Sequence, residues 1–253
     1  MLLAIDVGNT NTVLGLFDAD RLVTSYRVKT DPRATADEIM LTFRGLLGDT
    51  AITGISLCST VPAVLHEMRT MLARYYADLP RVVVEPGVRT GVQILTDNPR
   101  EVGADRIVNT LAAHHLYGGP CVVVDFGTST NLDVVSANGD FLGGALAPGV
   151  QISLDALSAR AAQLRKVELV RPRSVIGKNT VEALQSGALY GFAGQVDGLV
   201  DRIRAEIPDV RDVIATGGLA EIVVPESRTI TAHCPELTLI GLALVFAKNM
   251  AAT

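Results

Sequence analysis

LLAIDVGNTNTVLGL at residues 2–16 returns in altered form as CVVVDFGTSTNLDVV at residues 121–135. With Asp6 laid on Asp125, Gly8 falls on Gly127. Asn9-Thr10-Asn11-Thr12 then falls on Thr128-Ser129-Thr130-Asn131. The offset from 6 to 125 is 119 residues in a chain of 253, close to half its length. Both copies carry an apolar run, an Asp, a Gly, four small hydrogen-bonding residues and a second apolar stretch. An apolar run bounded by turn residues predicts a buried strand, and the Gly-polar cluster predicts a turn, so each copy reads as a hairpin. The second strands end at Asp18-Ala19-Asp20 and at Ala137-Asn138-Gly139-Asp140, and third strands follow near Leu22–Val28 and Phe141–Leu146.

The two halves stay parallel further on. Helical spacing predicts helices over Ala34–Leu46 and Thr180–Ile207. Short strands ending in small residues follow at 52–61 and 213–220, and further strands near Val82–Val84 and Thr229–Thr231. Each half closes on a helix, Ala104–Leu116 and Leu237–Ala251. Three hairpin-linked strands followed by alternating helix and strand predict a mixed sheet flanked by helices. The expected fold class is therefore α/β, a duplicated pair of domains, residues 1–118 and 119–253, with a cleft between them. The boundary is placed at Tyr117–Pro120.

Composition narrows the function. Hydrophobic residues make up 48% and charged residues 19%, which suits a folded core rather than a disordered chain. With no Trp and 4% aromatics, that core is built from Val, Leu, Ile and Ala. The net charge of −5 and the lack of a long basic run argue against a nucleic-acid partner. No run reaches the ~18 apolar residues of a spanning helix, so no membrane association is expected. The N-terminus reaches Asp6 too early for a signal peptide. Cys58, Cys121 and Cys234 are few, odd in number and far apart, which fits free thiols in a reducing cytoplasm.

Two such hairpins make a phosphate site. Gly8 and Gly127 remove a side chain where a ligand approaches closely. Backbone N–H groups and the Asn, Thr and Ser side chains donate to phosphate oxygens. Asp6 and Asp125 offer oxygens to a hard cation such as Mg²⁺, directly or through water. Ala215-Thr216-Gly217-Gly218 ends a strand where a ring or phosphate can lie against the backbone. GxxxxGK[ST] and GxGxxG are both absent. The four histidines, His66, His114, His115 and His233, lack metal-ligand spacing, and Lys178 without a P-loop reads as solvated. Asp133 reads as facing solvent or binding its turn.

DVGNTNT, DFGTST and ATGG resemble the two phosphate motifs and the adenosine motif of the actin, hexokinase and heat-shock ATPase superfamily, the ribonuclease H-like fold. DVGNTNTVLGLF, NPREVGADRIVN (98–109), VVVDFGTST (122–130), GGALAPG (143–149), SVIGKNT (174–180) and IATGGLA (214–220) resemble type III pantothenate kinases more closely, in the right order along nearly the whole chain. EVGADR discriminates, because the wider superfamily lacks it. The resemblance implies ATP-dependent phosphorylation of pantothenate, a homodimer, and a need for K⁺ or NH₄⁺ besides Mg²⁺. It implies an ATP site at Asp6, Val7, Gly8, Asn9, Thr10, Asn11, Thr12, Val13 and Thr128, with Asp6 toward Mg²⁺ and Asp125 as ligand of the monovalent cation. It implies a pantothenate site at Gly103, Ala104, Asp105, Arg106 and Thr180, with Asp105 as general base and Thr180 reaching from the neighbouring subunit.

Read alone, Asp105 is a carboxylate at a helix start, stabilised by the macrodipole by ~0.3–1 kcal/mol. Arg106 is a surface guanidinium able to clamp a carboxylate, and Thr180 is a helix N-cap. Three departures from the resembling family stand out: Thr96 where a Tyr is common, Ser129 and Asn131 in the second phosphate motif, and Leu164-Arg165 for Leu-Pro. Those at Thr96 and Ser129 motivate one alternative, a weak or inactive member acting as an accessory protein; a kinase or phosphatase of this fold with another substrate is a second.

Overall fold

A computed structural model describes residues 1–160 and 167–251, so the Leu164-Arg165 pair lies outside the described residues. In chain order the elements are β1 (Leu2–Val7), β2 (Asn11–Asp18), β3 (Arg21–Lys29), α1 (Ala36–Leu47), β4 (Gly54–Ser59), α2 (Pro62–Tyr75), β5 (Arg81–Val83) and α3 (Ala104–Tyr117). The second series is β6 (Cys121–Phe126), β7 (Ser129–Val135), β8 (Phe141–Pro148), α4 (Val150–Arg160), α5 (Thr180–Glu206), β9 (Asp212–Thr216), α6 (Ala220–Val223), β10 (Ala232–His233) and α7 (Leu237–Met250).

The strands form two five-stranded sheets of one topology, β3-β2-β1-β4-β5 and β8-β7-β6-β9-β10. In each, the first three strands pair antiparallel and the last two join parallel. Two mixed sheets flanked by helices bear out the expected α/β class. Contacts divide the chain into two compact units. Unit 1 holds Met1–Val92, Asn98–Ala112 and the C-terminal stretch from Leu237; unit 2 holds Gln93–Asp97 and Ala113–Glu236. α7 thus lies in the second half of the repeat pattern and in the first unit of the fold.

In unit 1 the sheet is covered on both faces, which is why β1 is apolar without a break from Leu2 to Ile5. Leu3, Ile5, Leu14 and Leu16 pack with Ile39 and Phe43 of α1 and with Met68 and Leu72 of α2. Ala4, Phe17 and Cys58, on the other face, pack with Val108 of α3 and with Leu239, Leu242 and Val245 of α7. α1 starts on a capping box: Thr35 Oγ1 accepts from Glu38 N–H, and Glu38 accepts from Thr35 N–H at 2.8 Å. Ser56 Oγ donates to the carbonyl of Leu242 at 2.8 Å, tying β4 to α7.

In unit 2, α5 lays Leu189, Ala193, Val196 and Val200 over Val122, Val124, Phe126, Leu132 and Val134. One buried carboxylate of that helix, Asp197, accepts from Ser227 Oγ (2.6 Å), Thr229 Oγ1 (2.7 Å) and the backbone N–H groups of Arg228 and Thr229 (both 3.1 Å). This bond set displaces the strand expected near Thr229–Thr231. With Thr229 committed to Asp197, the chain first bonds β9 at Thr231, whose N–H donates to Val213 O at 2.9 Å, and pairs with it over Ala232–His233. The strand expected over 213–220 ends at Thr216, because Gly217 takes φ 91° and turns the backbone. Asp133 does not face solvent; it is 0% exposed in the middle of β7. α4 lies where no helix was expected. Among the described residues, no helix is long and apolar enough to cross a membrane.

Candidate active site

β1 begins apolar and ends on a charge. Leu2, Ala4 and Asp6 share one face by strand alternation, and Asp6 lies at the carboxyl end of that face. Register sets its neighbours: Cys58 on β4, Val13 on β2 and, beyond Val13, Arg27 on β3. The Cys58 thiol donates to Asp6 Oδ1 at 3.4 Å. Burial pushes Asp6 up to about 6, the nearby Asp105 carboxylate adds to this, and the Cys58 bond and the Arg27 charge oppose it. Burial, then Asp6 and Asp105, push the Cys58 thiol well above its ordinary range, so it stays protonated and remains a donor.

The turn after β1 is held from below. Gly8 N–H donates to the Asn11 carbonyl at 3.0 Å. Thr30, just past β3, donates its N–H to Thr10 O (3.0 Å) and its hydroxyl to Gly8 O (2.7 Å), and shares a 2.9 Å bond with the Thr12 hydroxyl. These bonds leave Asn9 and Thr10 exposed at the tip.

Asp105 opens α3. Its Oδ1 accepts from the N–H of Arg106 at 2.9 Å. A Cβ at Gly103 would lie 2.4 Å from that oxygen, so glycine is what leaves room for the carboxylate. Burial raises Asp105 above the usual carboxylate range, against the N–H and the charge of Arg106. A carboxylate raised in this way accepts a proton closer to neutral pH.

In unit 2 the corresponding row reads Thr216 on β9, Asp125 on β6, Asn131 on β7 and Leu146 on β8. The hairpin differs from the first by one residue. Val7 pairs with Thr12, whereas Phe126 pairs with Thr130 and Gly127 N–H reaches Ser129 O at 2.9 Å. Asp6 therefore faces Val13, while Asp125 faces Asn131, which the ungapped superposition sets on Thr12. Two further segments close on this loop. Gly149 donates its N–H to Thr128 O at 3.1 Å, and Leu219 donates to Phe126 O at 3.3 Å. A Cβ at Gly217 would sit 2.4 Å from Asp125 Oδ1. DFGTST, the end of GGALAPG and ATGG therefore meet around one carboxylate.

The family model described as type III pantothenate kinase matches residues 2–202. The chain is 71% identical over 250 residues to a protein named type III pantothenate kinase from Frankia alni, covering 99% of this chain and 100% of that one. The chain belongs to the type III pantothenate kinase family.

Solved structures at lower identity show the fold. An inorganic polyphosphate/ATP-glucomannokinase from Arthrobacter superposes with a TM-score of 0.54 at 15% identity, covering 98% of each chain. An activator of the 2-hydroxyisocaproyl-CoA dehydratase from Clostridium difficile, solved with ADPNP bound, gives 0.54 at 12% identity over 99% of this chain and 96% of that one. The chain thus shares the fold of both structures.

Set against the family motifs, unit 1 gathers Asp6 through Val13 in one hairpin and Gly103 through Arg106 at the start of α3. Within the hairpin, Val7 is buried and offers only its backbone, and Thr12 is 2% exposed with its hydroxyl paired to Thr30. Unit 2 holds Asp125, the exposed Thr128, and Thr180 as the first residue of α5. The N-cap of α5 is Asn179, whose side chain accepts from Glu182 N–H at 2.9 Å, so Thr180 is not the cap. Lys178 is exposed, and His114 bonds the carbonyl of Ala137 at 3.2 Å. Among the described residues, no group of acidic, His or Cys side chains forms a metal cluster. Sequence reasoning missed Cys58, Arg27, Thr30 and Gly149 as neighbours of the loops. The first three come beside the first loop by strand register alone, which leaves no local signal. Gly149 was visible only as the end of a family motif.

Proposed function

We propose that this chain transfers the γ-phosphoryl group of ATP to the hydroxyl of pantothenate, giving 4'-phosphopantothenate in the first step of coenzyme A synthesis. The observation that carries this reading is the pair Asp6 and Asp105. A phosphate-loop carboxylate and a helix-start carboxylate lie close enough in one unit to repel each other, in a chain that matches pantothenate kinases over its length.

The residues divide the work. The hairpin from Asp6 to Val13, with Thr128 of the second loop, would hold the ATP phosphates through backbone N–H groups and the Asn9 and Thr10 side chains. Asp6 suits a magnesium ion, because a cation relieves the repulsion from Asp105. Bound Mg²⁺ would neutralise charge on the phosphoryl oxygens. Asp105 would orient the pantothenate hydroxyl and accept its proton, the one proton transfer that phosphoryl transfer demands of the protein. Arg106 would pair with the pantothenate carboxylate, while Gly103 and Ala104 admit the substrate close to the backbone.

Asp125 would hold K⁺ or NH₄⁺; its setting between Asn131 and Thr216, beside Gly217, supports an oxygen-lined cation site. A homodimer is supported by apolar side chains exposed around Thr180: Ile176 is 67% exposed, and Val175 and Val181 are also exposed. Thr180 would then serve the partner's pantothenate. The three free cysteines support a cytoplasmic setting. Introduction of the chain into cells lacking their own pantothenate kinase tests the reading. Restored growth is expected, with none from Asp105→Asn; no growth despite soluble expression of the unchanged chain would overturn it.

A further inference from the structure

We propose that Asn131 is an additional oxygen ligand of the monovalent cation at Asp125, an inference that rests on the cation reading above. Asn131 is 7% exposed, and its Oδ1 is buried without a hydrogen-bond partner. An unsatisfied buried acceptor costs about 1–3 kcal/mol, so its place needs a physical reason.

Register supplies one. Asn131 lies directly opposite Asp125 across an antiparallel pair, which puts both side chains on one face with Cβ atoms roughly 4.5–5.5 Å apart. The one-residue shortening of the second hairpin creates this pairing; beside Asp6 the same place holds Val13, which has no oxygen. An amide oxygen and a carboxylate are both acceptors. The Asn131 oxygen, buried without a donor, is satisfied by a cation held at Asp125. Thr216, buried on the other flank of Asp125, brings a third oxygen to the row. Gly217 keeps a side chain out of this place, since a Cβ there would stand 2.4 Å from Asp125 Oδ1.

Thermal unfolding of the full chain, with choline chloride replaced stepwise by KCl at constant ionic strength, tests this. The variants are Asn131→Leu, Asn131→Ala, Asn131→Asp and Asp125→Asn, each checked for fold by circular dichroism. The unchanged chain should be stabilised by K⁺ in a saturable way, and Asp125→Asn should abolish the response. Asn131→Leu and Asn131→Ala should raise the half-saturating K⁺ concentration on the order of tenfold, and Asn131→Asp, which keeps the oxygen, should not. Equal half-saturation in the unchanged chain and both apolar variants, with Asp125→Asn still unresponsive, would remove Asn131 while leaving the cation at Asp125. No K⁺ response in the unchanged chain would overturn both.

Discussion

Asp6 and Asp105 are carboxylates that burial pushes toward the neutral form, and the Asp105 charge adds to the push on Asp6. For Asp6 the folded value is about 6 against 3.8 when unfolded. The folded state therefore binds more protons between those values, and stability falls as pH rises from about 4 to about 6. The cost is absent below the unfolded value and complete above the folded one. At ~1.4 kcal/mol per pKa unit, it amounts to roughly 2–3 kcal/mol at neutral pH. Asp6→Asn should thus stabilise the protein without ligands in urea unfolding at pH 7, gain nothing at pH 3.5, and lose Mg²⁺-dependent ATP affinity. Asp105→Asn should lower kcat by ~10²-fold or more with little change in the KM for ATP, measured by steady-state kinetics. Because burial also raises Asp105, the acid limb of the kcat profile should lie above the ordinary carboxylate range and vanish in that variant. Both carboxylates could be read from DVGNTNT and EVGADR. Cys58 and Arg27, which modulate Asp6, could not, because register rather than nearby sequence brings them to it.

At the scale of elements, the hairpins were the most legible part, since an apolar run, an Asp-Gly turn and a second run leave few alternatives. Pairing within them was less so. The two copies align without a gap through the turn, yet the second turn is one residue shorter. Only hydrogen bonding shows this, and a one-residue slip decides that Asp125 faces Asn131. β10 moved for a similar reason: Thr229 has strand propensity, but its N–H and hydroxyl go to Asp197. Asp197→Ala would strand those donors. It should cost about 2–4 kcal/mol in urea unfolding, whereas Asp201→Ala, on the exposed side of the same helix, should cost under ~1 kcal/mol. α4 was illegible because its sequence has no clear apolar face, and Val150 is its buried anchor.

At the scale of the whole molecule, the repeat predicted two sheets of one topology, and the chain has them. It did not predict that the last helix belongs with the first unit. Leu237–Met250 has helical spacing wherever it packs; its destination depends on the apolar face left open by Ala4, Phe17 and Cys58. Leu242→Ala, deep in that contact, should cost about 2–5 kcal/mol in thermal or urea unfolding. The family match supplies the substrate, and the two loops supply the chemistry. The most direct measurement is ADP release by the purified protein with Mg-ATP, with pantothenate and K⁺ each present or absent. The account predicts turnover only when both are present, with phosphorylated pantothenate as the product. ADP release that is indifferent to pantothenate, or no release with both present, would contradict it.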